Sequence, residues 1–185
     1  MNSRILKNDT QKFAKHFELA EELRNKTYLI TGATGLIGSV LIKCLLELNS
    51  IHNLGIHIIA IVRHLENAKQ IFNDEYNKVE FIQISLADIK EDAIPPNVDF
   101  IVHLASPTAS KFFVTNPVET ISYAFEGTNS ILRFAKEKKV KGVVYASSLE
   151  VYGSNHTDEW ISENFQGYIN PIDVRSSYSQ GKRAC

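Results

Sequence analysis

The sequence predicts an α/β protein built on one doubly wound parallel sheet, and three observations support this prediction. First, apolar runs rich in Ile and Val alternate with helix-type patterns from residue 27 onward. Second, these runs are almost continuously apolar, as expected of strands that helices cover on both faces. Third, a glycine-rich turn joins the first run to the first long helix pattern. Because crossovers between parallel strands are right-handed, the expected strand order is 3-2-1-4-5.

Each element follows from its local pattern. Apolar residues at helical spacing predict a helix over residues 10–24, with Thr10 as its N-cap. Residues 1–25 are therefore interpreted as a helical extension and residues 26–185 as the main domain. The strands are predicted at residues 27–31, 56–62, 79–85, 98–105 and 141–148.

Helices are expected between these strands, near residues 66–76, over 117–138 and from residue 176. The helix after the first strand carries an apolar stripe of Leu36, Ile37, Val40, Leu41, Cys44, Leu45 and Leu48. Residues 153–173 contain turn residues and aromatics without a clear period, which predicts a loop near the site. Ligands of such sheets bind where the strand order reverses, here between the first and fourth strands.

The bulk composition excludes several classes of partner. A formal net charge of -1 gives no electrostatic case for nucleic acid or an anionic membrane. The N-terminus is too polar for a signal peptide, and no apolar run approaches a membrane span of about 20 residues. Two cysteines and no zinc-ligand spacing favour a reduced, cytoplasmic setting without a metal.

The glycine-rich turn TGATGLIG, which begins at Thr31, predicts a dinucleotide site. Gly32 would permit the tight turn, Gly35 the approach of a pyrophosphate, and Gly38 the packing of helix on strand. The helix N-terminus would supply free N–H groups to the phosphates. The alternative is that the glycines serve only turn and packing. The candidate cofactor residues in this stretch are Gly32, Thr34, Gly35, Leu36, Ile37 and Gly38.

Arg63 stands at the end of the second strand, where an acidic residue would bind the ribose hydroxyls of NAD. A basic residue suits the additional phosphate of NADP, so this position favours NADP. The alternative is that Arg63 lies over the adenine or in solvent.

A second group of residues carries the chemistry. Tyr178 and Lys182 are four residues apart, so they share one face of a helix. A nearby ammonium favours the phenolate, which makes Tyr178 a candidate base. Alternation along the fifth strand places Ser148 and Glu150 on one side, where Ser148 would bind a substrate hydroxyl. The alternatives are a chance Tyr–Lys pair and a surface position for Glu150.

Four motifs in this order, TGATGLIG, HLASP, SSLEVYG and YSQGK, resemble the extended short-chain dehydrogenase/reductases, a Rossmann-type family. The stretches HLASPTASKFFVTNPVETI, EVYG and NPIDVRSSYSQGKRA are most similar to the UDP-glucuronate decarboxylases, with the nucleotide-sugar 4,6-dehydratases next. The resemblance covers residues 27–185. It implies NAD as cofactor, a nucleotide-sugar substrate and a homodimer.

The resemblance also implies roles for individual residues. Ser148, Tyr178 and Lys182 would form the catalytic triad, with Glu150 as a further acid or base. Tyr178 and Lys182 would also contact the cofactor. The remaining cofactor-binding candidates would be Leu86, Leu104, Ala105 and Ser106, the last two beside the nicotinamide ribose. The substrate-binding candidates would be Thr108, Ser148, Glu150 and Arg175. The alternative for Arg175 is a salt bridge that fixes the loop.

The implied mechanism oxidises the sugar before it breaks a bond. Tyr178 would take the proton of the 4-hydroxyl while hydride passes to the nicotinamide. The ketone lies β to the carboxyl of a glucuronate, so carbon dioxide can leave before hydride returns. A dehydratase would lose water instead, but Leu149 stands where the dTDP-glucose dehydratases have an aspartate. An epimerase, an NADPH-dependent carbonyl reductase and a non-catalytic dinucleotide-binding module remain alternatives.

The sequence departs from the family at four positions, where Arg63, Ser85, Phe113 and Ala124 replace an acidic residue, an Asp, a Tyr and an Asn. These departures leave the substrate and the choice between NAD and NADP open. Family members are longer than this chain. We therefore expect a fragment without the substrate lobe, which is inactive on its own.

Overall fold

The computed structural model describes residues 4–86, 89, 93–155 and 158–185 of the chain. In this part of the chain, the sheet has five strands, and all of them run parallel. The strands are β1 (Thr27–Thr31), β2 (His57–Val62), β3 (Glu80–Gln83), β4 (Phe100–His103) and β5 (Gly142–Tyr145). Their order is β3-β2-β1-β4-β5, which confirms the predicted fold class and strand order.

Helices flank the sheet. They are α1 (Arg4–His16), α2 (Leu36–His52), α3 (Leu65–Phe72), α4 (Ser110–Thr115), α5 (Pro117–Glu137) and α6 (Ser176–Ala184). Shorter 3₁₀ turns cover Ala20–Leu23, Asn73–Lys78 and Leu149–Tyr152. Pro117 lies in the first turn of α5, where a missing backbone N–H leaves no helical hydrogen bond unmade. α2 is followed by Asn53, which adopts the left-handed conformation common after a helix.

Two apolar cores lie on opposite faces of the sheet, because neighbouring residues of a strand point to opposite sides. On one face, Ile30 of β1 belongs to a cluster that includes Ile42 of α2 and Phe72 of α3. On the other face, Leu29 belongs to a cluster that includes Ile131 and Phe134 of α5. The strands are therefore covered on both sides, as their continuous apolar runs predict.

The N-terminal prediction is wrong in its boundaries. The helix starts at Arg4 and ends at His16, and a 3₁₀ turn at Ala20–Leu23 follows it. Thr10 lies in the middle of α1 and is buried, and its hydroxyl donates to the Lys7 carbonyl at 3.0 Å. Ala14, one turn later, is also buried, and α1 packs on α2. The buried residues Ala14 and Ala20 of this segment therefore lie in two short elements rather than in one helix.

The predicted loop over residues 153–173 has no helix or strand in its described part, where an isolated antiparallel bridge joins Ser154 and Tyr168. Residues 156–157 of this prediction lie outside the described residues, as do residues 1–3 of the N-terminal extension. The division into an extension and a main domain stays a prediction. Among the described helices, none is long and apolar enough to cross a membrane.

Candidate functional site

The glycine-rich turn between β1 and α2 needs glycine at two positions for reasons of space. Gly32 has a φ of +68°, and a Cβ there would lie 2.8 Å from the Ala105 nitrogen and the Leu104 carbonyl carbon. A Cβ on Gly38 would clash with the Gly32 carbonyl oxygen. The backbone of the turn therefore packs directly on the end of β4 and on the first turn of α2.

Gly35 differs from these two glycines because it is exposed and forms the N-cap of α2. The cap has no side-chain hydrogen bond, and the first turn of the helix contains no acidic residue. The first N–H groups of a helix have no acceptor within the helix, so this end can receive an anion. The turn therefore fits the pyrophosphate of a dinucleotide.

Leu36 and Ile37 are 74% and 65% exposed, so their predicted place in the apolar stripe of α2 is wrong. The buried face of the helix begins at Gly38 and continues through Ile42 and Leu45. The two exposed residues lie beside the open N-terminus of α2 instead, and their role as cofactor neighbours stays a prediction. Thr34 precedes them in the turn and is half-buried.

The other predicted cofactor residues lie around the carboxyl ends of the strands. The backbone N–H groups of Leu104 and Ala105 donate to the Thr31 hydroxyl at 3.2 and 3.1 Å, which joins the end of β4 to the end of β1. Ser106 follows, half-buried, and its hydroxyl donates to the Pro107 carbonyl at 3.3 Å.

Arg63 directly follows β2 and is exposed, and the described residues provide it with no ion pair. Its guanidinium is therefore available to an adenosine ribose or to a phosphate on that ribose. Leu86 packs at the margin of the core that contains Leu29 and lies against Gly127 of α5.

α6 is fastened across the end of β5 by three hydrogen bonds. The Lys182 ammonium donates to the Ala146 carbonyl at 2.8 Å, and the Ser179 hydroxyl donates to the Glu150 carboxylate at 2.7 Å. The Arg183 guanidinium donates to the Val151 carbonyl at 2.7 Å. Because these bonds join residues 179–183 to residues 146–151, the structure brings the four predicted catalytic residues to one edge of the sheet.

Lys182 is only 5% exposed, and this burial lowers the pKa of its ammonium. The Nζ atom also lies 4.4 Å from the centre of the Tyr145 ring. A buried ammonium that is held by one carbonyl and one aromatic face keeps a fixed position.

The ring of Tyr178 stacks on Phe113 of α4, with 4.3 Å between ring centroids and 9° between ring planes. Phe113 is buried, and its carbonyl accepts a hydrogen bond from Ser177 at 3.2 Å. The stack fixes the orientation of the Tyr178 ring. The sequence identifies Phe113 only as a departure from the family, so this packing role is not predicted.

Glu150 forms an ion pair with Arg175. The guanidinium donates to both carboxylate oxygens at 2.8 and 2.9 Å. The hydrogen bond from Arg175 lowers the pKa of Glu150, and the hydrogen bond from Ser179 acts in the same direction. The salt bridge considered for Arg175 is therefore present. Arg175 and Ser179 are four residues apart on one helical face, which is the sequence signal that could have identified Ser179.

The alternation argument for Ser148 and Glu150 is wrong, because β5 ends at Tyr145. Both residues lie in or next to the 3₁₀ turn Leu149–Tyr152, and the Ser148 hydroxyl caps this turn by accepting from the Glu150 N–H at 3.3 Å. The cap, rather than the strand pleat, places the two side chains. Thr108 is exposed in the segment before α4.

An anion-binding helix end follows β1, and a serine, a tyrosine and a buried ammonium lie at the end of β5, two strands away in the same sheet. A tyrosine beside an ammonium can move a proton to and from a hydroxyl.

Residues 28–185 match the family described as NAD dependent epimerase/dehydratase. UDP-glucuronic acid decarboxylase 1 of Xenopus tropicalis is 31% identical over 177 residues, which cover 94% of this chain and 39% of that protein. The chain thus spans well under half of the length of this curated relative.

Two solved structures share the fold. UDP-N-acetylglucosamine 4-epimerase from Methanobrevibacter ruminantium, in complex with UDP-N-acetylmuramic acid, is 20% identical with a TM-score of 0.70 over 88% of this chain and 48% of its own. UDP-glucose-4-epimerase from Stenotrophomonas maltophila, with bound NAD and formylated UDP-arabinopyranose, is 17% identical with a TM-score of 0.67 over 86% and 46%. With the match over residues 28–185, the chain belongs to the NAD dependent epimerase/dehydratase family.

Proposed function

We propose that this chain is the cofactor-binding part of a nucleotide-sugar enzyme that works through a transient 4-keto sugar, with decarboxylation of UDP-glucuronate as its reaction. The observation that carries the proposal is the fastening of α6 over the end of β5, where Lys182 bonds to Ala146 and Ser179 to Glu150. The sequence likeness to a UDP-glucuronic acid decarboxylase supports the choice of substrate.

The residues at the turn fit NAD. Gly35 leaves the N-terminus of α2 open, and the exposed side chains of Leu36 and Ile37 flank it. The pyrophosphate would bind the N–H groups of this helix end, as phosphates do at helix N-termini. When bound, NAD accepts a hydride from the sugar and later returns it.

The chain's own residues would handle the protons and the orientation. Ser148 would hold the sugar 4-hydroxyl by a hydrogen bond, and Tyr178 would remove its proton. Lys182, one helical turn after Tyr178, is fixed on the Ala146 carbonyl and would hold its positive charge in the site. Once C4 is a ketone, the glucuronate carboxyl is β to it, so carbon dioxide can leave with the electron pair held as an enolate.

Among the nucleotide-sugar alternatives, dehydration has less support at residue 149. Leu149 is 81% exposed in the 3₁₀ turn and has no acidic group to protonate a leaving hydroxyl. A second candidate function, an NADPH-dependent carbonyl reductase, has one observation in its favour. Arg63 is exposed at the end of β2 and suits the 2′-phosphate of NADP.

The test is incubation of the complete protein with UDP-glucuronate and, separately, with dTDP-glucose, followed by mass spectrometry. The proposal expects loss of carbon dioxide from UDP-glucuronate with no net change in NAD. Loss of water from dTDP-glucose would indicate a dehydratase. Net consumption of NADPH with a carbonyl substrate would indicate the reductase.

The matched variants are Tyr178→Phe and Tyr168→Phe, because each removes one hydroxyl. The Phe ring keeps the stack on Phe113, so Tyr178→Phe should fold normally and lose about 10²- to 10⁴-fold in rate. Tyr168 is largely exposed, and its variant should keep full activity. Full activity of Tyr178→Phe would end the proposed oxidation.

A further inference from the structure

A buried chain of polar side chains crosses the sheet beneath the glycine-rich turn. It consists of Thr31 at the end of β1, His103 at the end of β4 and Thr128 on α5, which are 0%, 2% and 6% exposed. The Thr31 hydroxyl lies 2.6 Å from Nδ1 of His103. Nε2 of the same ring lies 3.3 Å from the Thr128 hydroxyl. Both ring nitrogens of this histidine therefore have a partner.

The hydrogen bonds around Thr31 fix the tautomer of His103. A hydroxyl has one hydrogen to donate and two lone pairs that accept. The Thr31 hydroxyl accepts from the N–H groups of Leu104 and Ala105, at 3.2 and 3.1 Å, and the Leu104 N–H is shared with the Thr31 carbonyl at 3.3 Å. Its single hydrogen is left for Nδ1 of His103, which must then be an acceptor. The ring proton consequently sits on Nε2 and is donated to Thr128.

The surroundings keep the ring neutral. Burial, together with the positive charge of Lys182, lowers the pKa of His103 to about 4. The ring of Tyr145 lies 5.6 Å away, centroid to centroid, and brings no charge. A second proton on Nδ1 would also meet a hydroxyl whose lone pairs are already used.

We propose that His103, as the neutral Nε2–H tautomer, is a positioning residue for the dinucleotide turn. It directs the Thr31 hydroxyl so that the lone pairs hold Leu104 and Ala105. These two residues form the backbone on which Gly32 packs. The Nδ1–H tautomer would compete for a Thr31 lone pair and release one of the two N–H groups. This inference rests on the proposed dinucleotide site, but its structural part is testable without any ligand.

The first experiment reads the tautomer in the intact chain. The six histidines are labelled with ¹⁵N, and long-range proton–nitrogen spectra are recorded from pH 8 to pH 5. His103 should show the Nε2–H pattern throughout this range. An Nδ1–H pattern, or titration near the ordinary pKa of histidine, would overturn the proposal without any variant.

The second experiment compares His103→Leu and His103→Asn with a control, His57→Asn. The Asn amide can replace Nδ1 as acceptor, whereas Leu cannot. His57 is largely exposed and is the first residue of β2, whereas His103 is the last residue of β4. In His103→Leu, hydrogen exchange at the Ala105 amide should rise by roughly tenfold, and in His103→Asn by less. The Leu104 amide also donates to the Thr31 carbonyl, so its exchange should change less. Unchanged hydrogen exchange in His103→Leu would contradict the positioning role. If that variant does not fold, Thr128→Val replaces it, and the same rise in exchange is expected.

NAD⁺ titrations separate this inference from the proposed function. If the unchanged chain binds NAD⁺, His103→Leu should weaken the binding by roughly tenfold and His57→Asn should leave it unchanged. Equal affinity of His103→Leu and the unchanged chain would overturn the positioning role. Failure of the unchanged chain to bind NAD⁺ would overturn the dinucleotide site, while the spectra and exchange rates would still decide the tautomer.

Discussion

At the scale of single residues, the neighbours of Glu150 decide what its carboxylate can do. Arg175 donates to both of its oxygens, and Ser179 donates to one of them. The lowered pKa means that folding favours the ionised form, so this stabilisation is present above the ordinary pKa of a glutamate. It is lost as the pH falls toward the lowered pKa. As an acid or base in catalysis, Glu150 would need Arg175 to move away from at least one oxygen.

A double-mutant cycle measures this pair. We expect Glu150→Gln, Arg175→Gln and the double variant to show a coupling of about 1 kcal/mol in urea unfolding at pH 7, because the two groups are partly exposed. The matched control is the pair Glu66 and Lys69, which is more exposed and should couple more weakly. Strictly additive effects at Glu150 and Arg175 would show that the ion pair contributes nothing to stability.

The same residues show where sequence reasoning reaches its limit. Tyr178 and Lys182 could be paired from their spacing alone, because the period of a helix fixes their relation. Glu150 and Arg175 are 25 residues apart, with a loop between them, so no local period predicts their contact. The stack of Phe113 on Tyr178 joins two helices and is invisible for the same reason.

At the scale of elements, β1 and β2 have nearly the predicted bounds, whereas β3, β4 and β5 are shorter than their apolar runs. β1 lies at the centre of the sheet between β2 and β4, and its bounds agree with the prediction. β3 and β5 are edge strands in the described sheet, each with one neighbour, and both are shorter than their apolar runs. An apolar run predicts burial, but the length of a strand also depends on the partner that binds its backbone.

The turn between β1 and α2 allows a prediction in which serine replaces each of two glycines in separate variants. Gly38→Ser should destabilise the fold by about 1–3 kcal/mol, because its Cβ would meet the Gly32 carbonyl. Gly35→Ser should cost less than Gly38→Ser, about 1 kcal/mol, because serine is a favourable N-cap residue while its Cβ would lie 3.2 Å from the Gly32 carbonyl oxygen. However, Gly35→Ser should weaken NAD⁺ binding by at least about tenfold, since its side chain occupies the approach of the phosphates.

Urea unfolding and NAD⁺ titration of the two variants separate packing from binding. Equal loss of stability at both positions would mean that the two glycines serve packing alone. Unchanged NAD⁺ affinity in Gly35→Ser would remove the phosphate-binding role of this helix end.

At the scale of the whole molecule, the sheet order could be predicted because it depends on general rules of handedness and connection. The buried polar chain through His103 could not be predicted, because it depends on the register between β1 and β4 and on the position of α5 against them. The register pairs Thr31 with His103 across the sheet, and only this register brings hydroxyl and imidazole together. The stability of the whole fold therefore includes a contribution that no single segment of the sequence reveals.

The buried imidazole of His103 predicts how the free energy of unfolding depends on pH. His103 has a pKa of about 4 in the folded protein, against about 6.5 in an unfolded chain. Between these values the unfolded state binds more protons, so the free energy of unfolding falls as the pH falls. We expect His103 to account for a loss of about 2 kcal/mol between pH 7 and pH 5. Urea unfolding at the two pH values measures this loss.

The variant His103→Asn isolates this effect from that of the other titrating groups. Asparagine does not titrate, so the variant should lose about 2 kcal/mol less stability than the unchanged chain between pH 7 and pH 5. Lys182, the charge that acts on His103, is present in both proteins, so its own contribution enters both pH profiles. Parallel pH profiles of the two proteins would show that His103 titrates as an ordinary histidine. The inference that His103 is a buried, neutral ring would then be wrong.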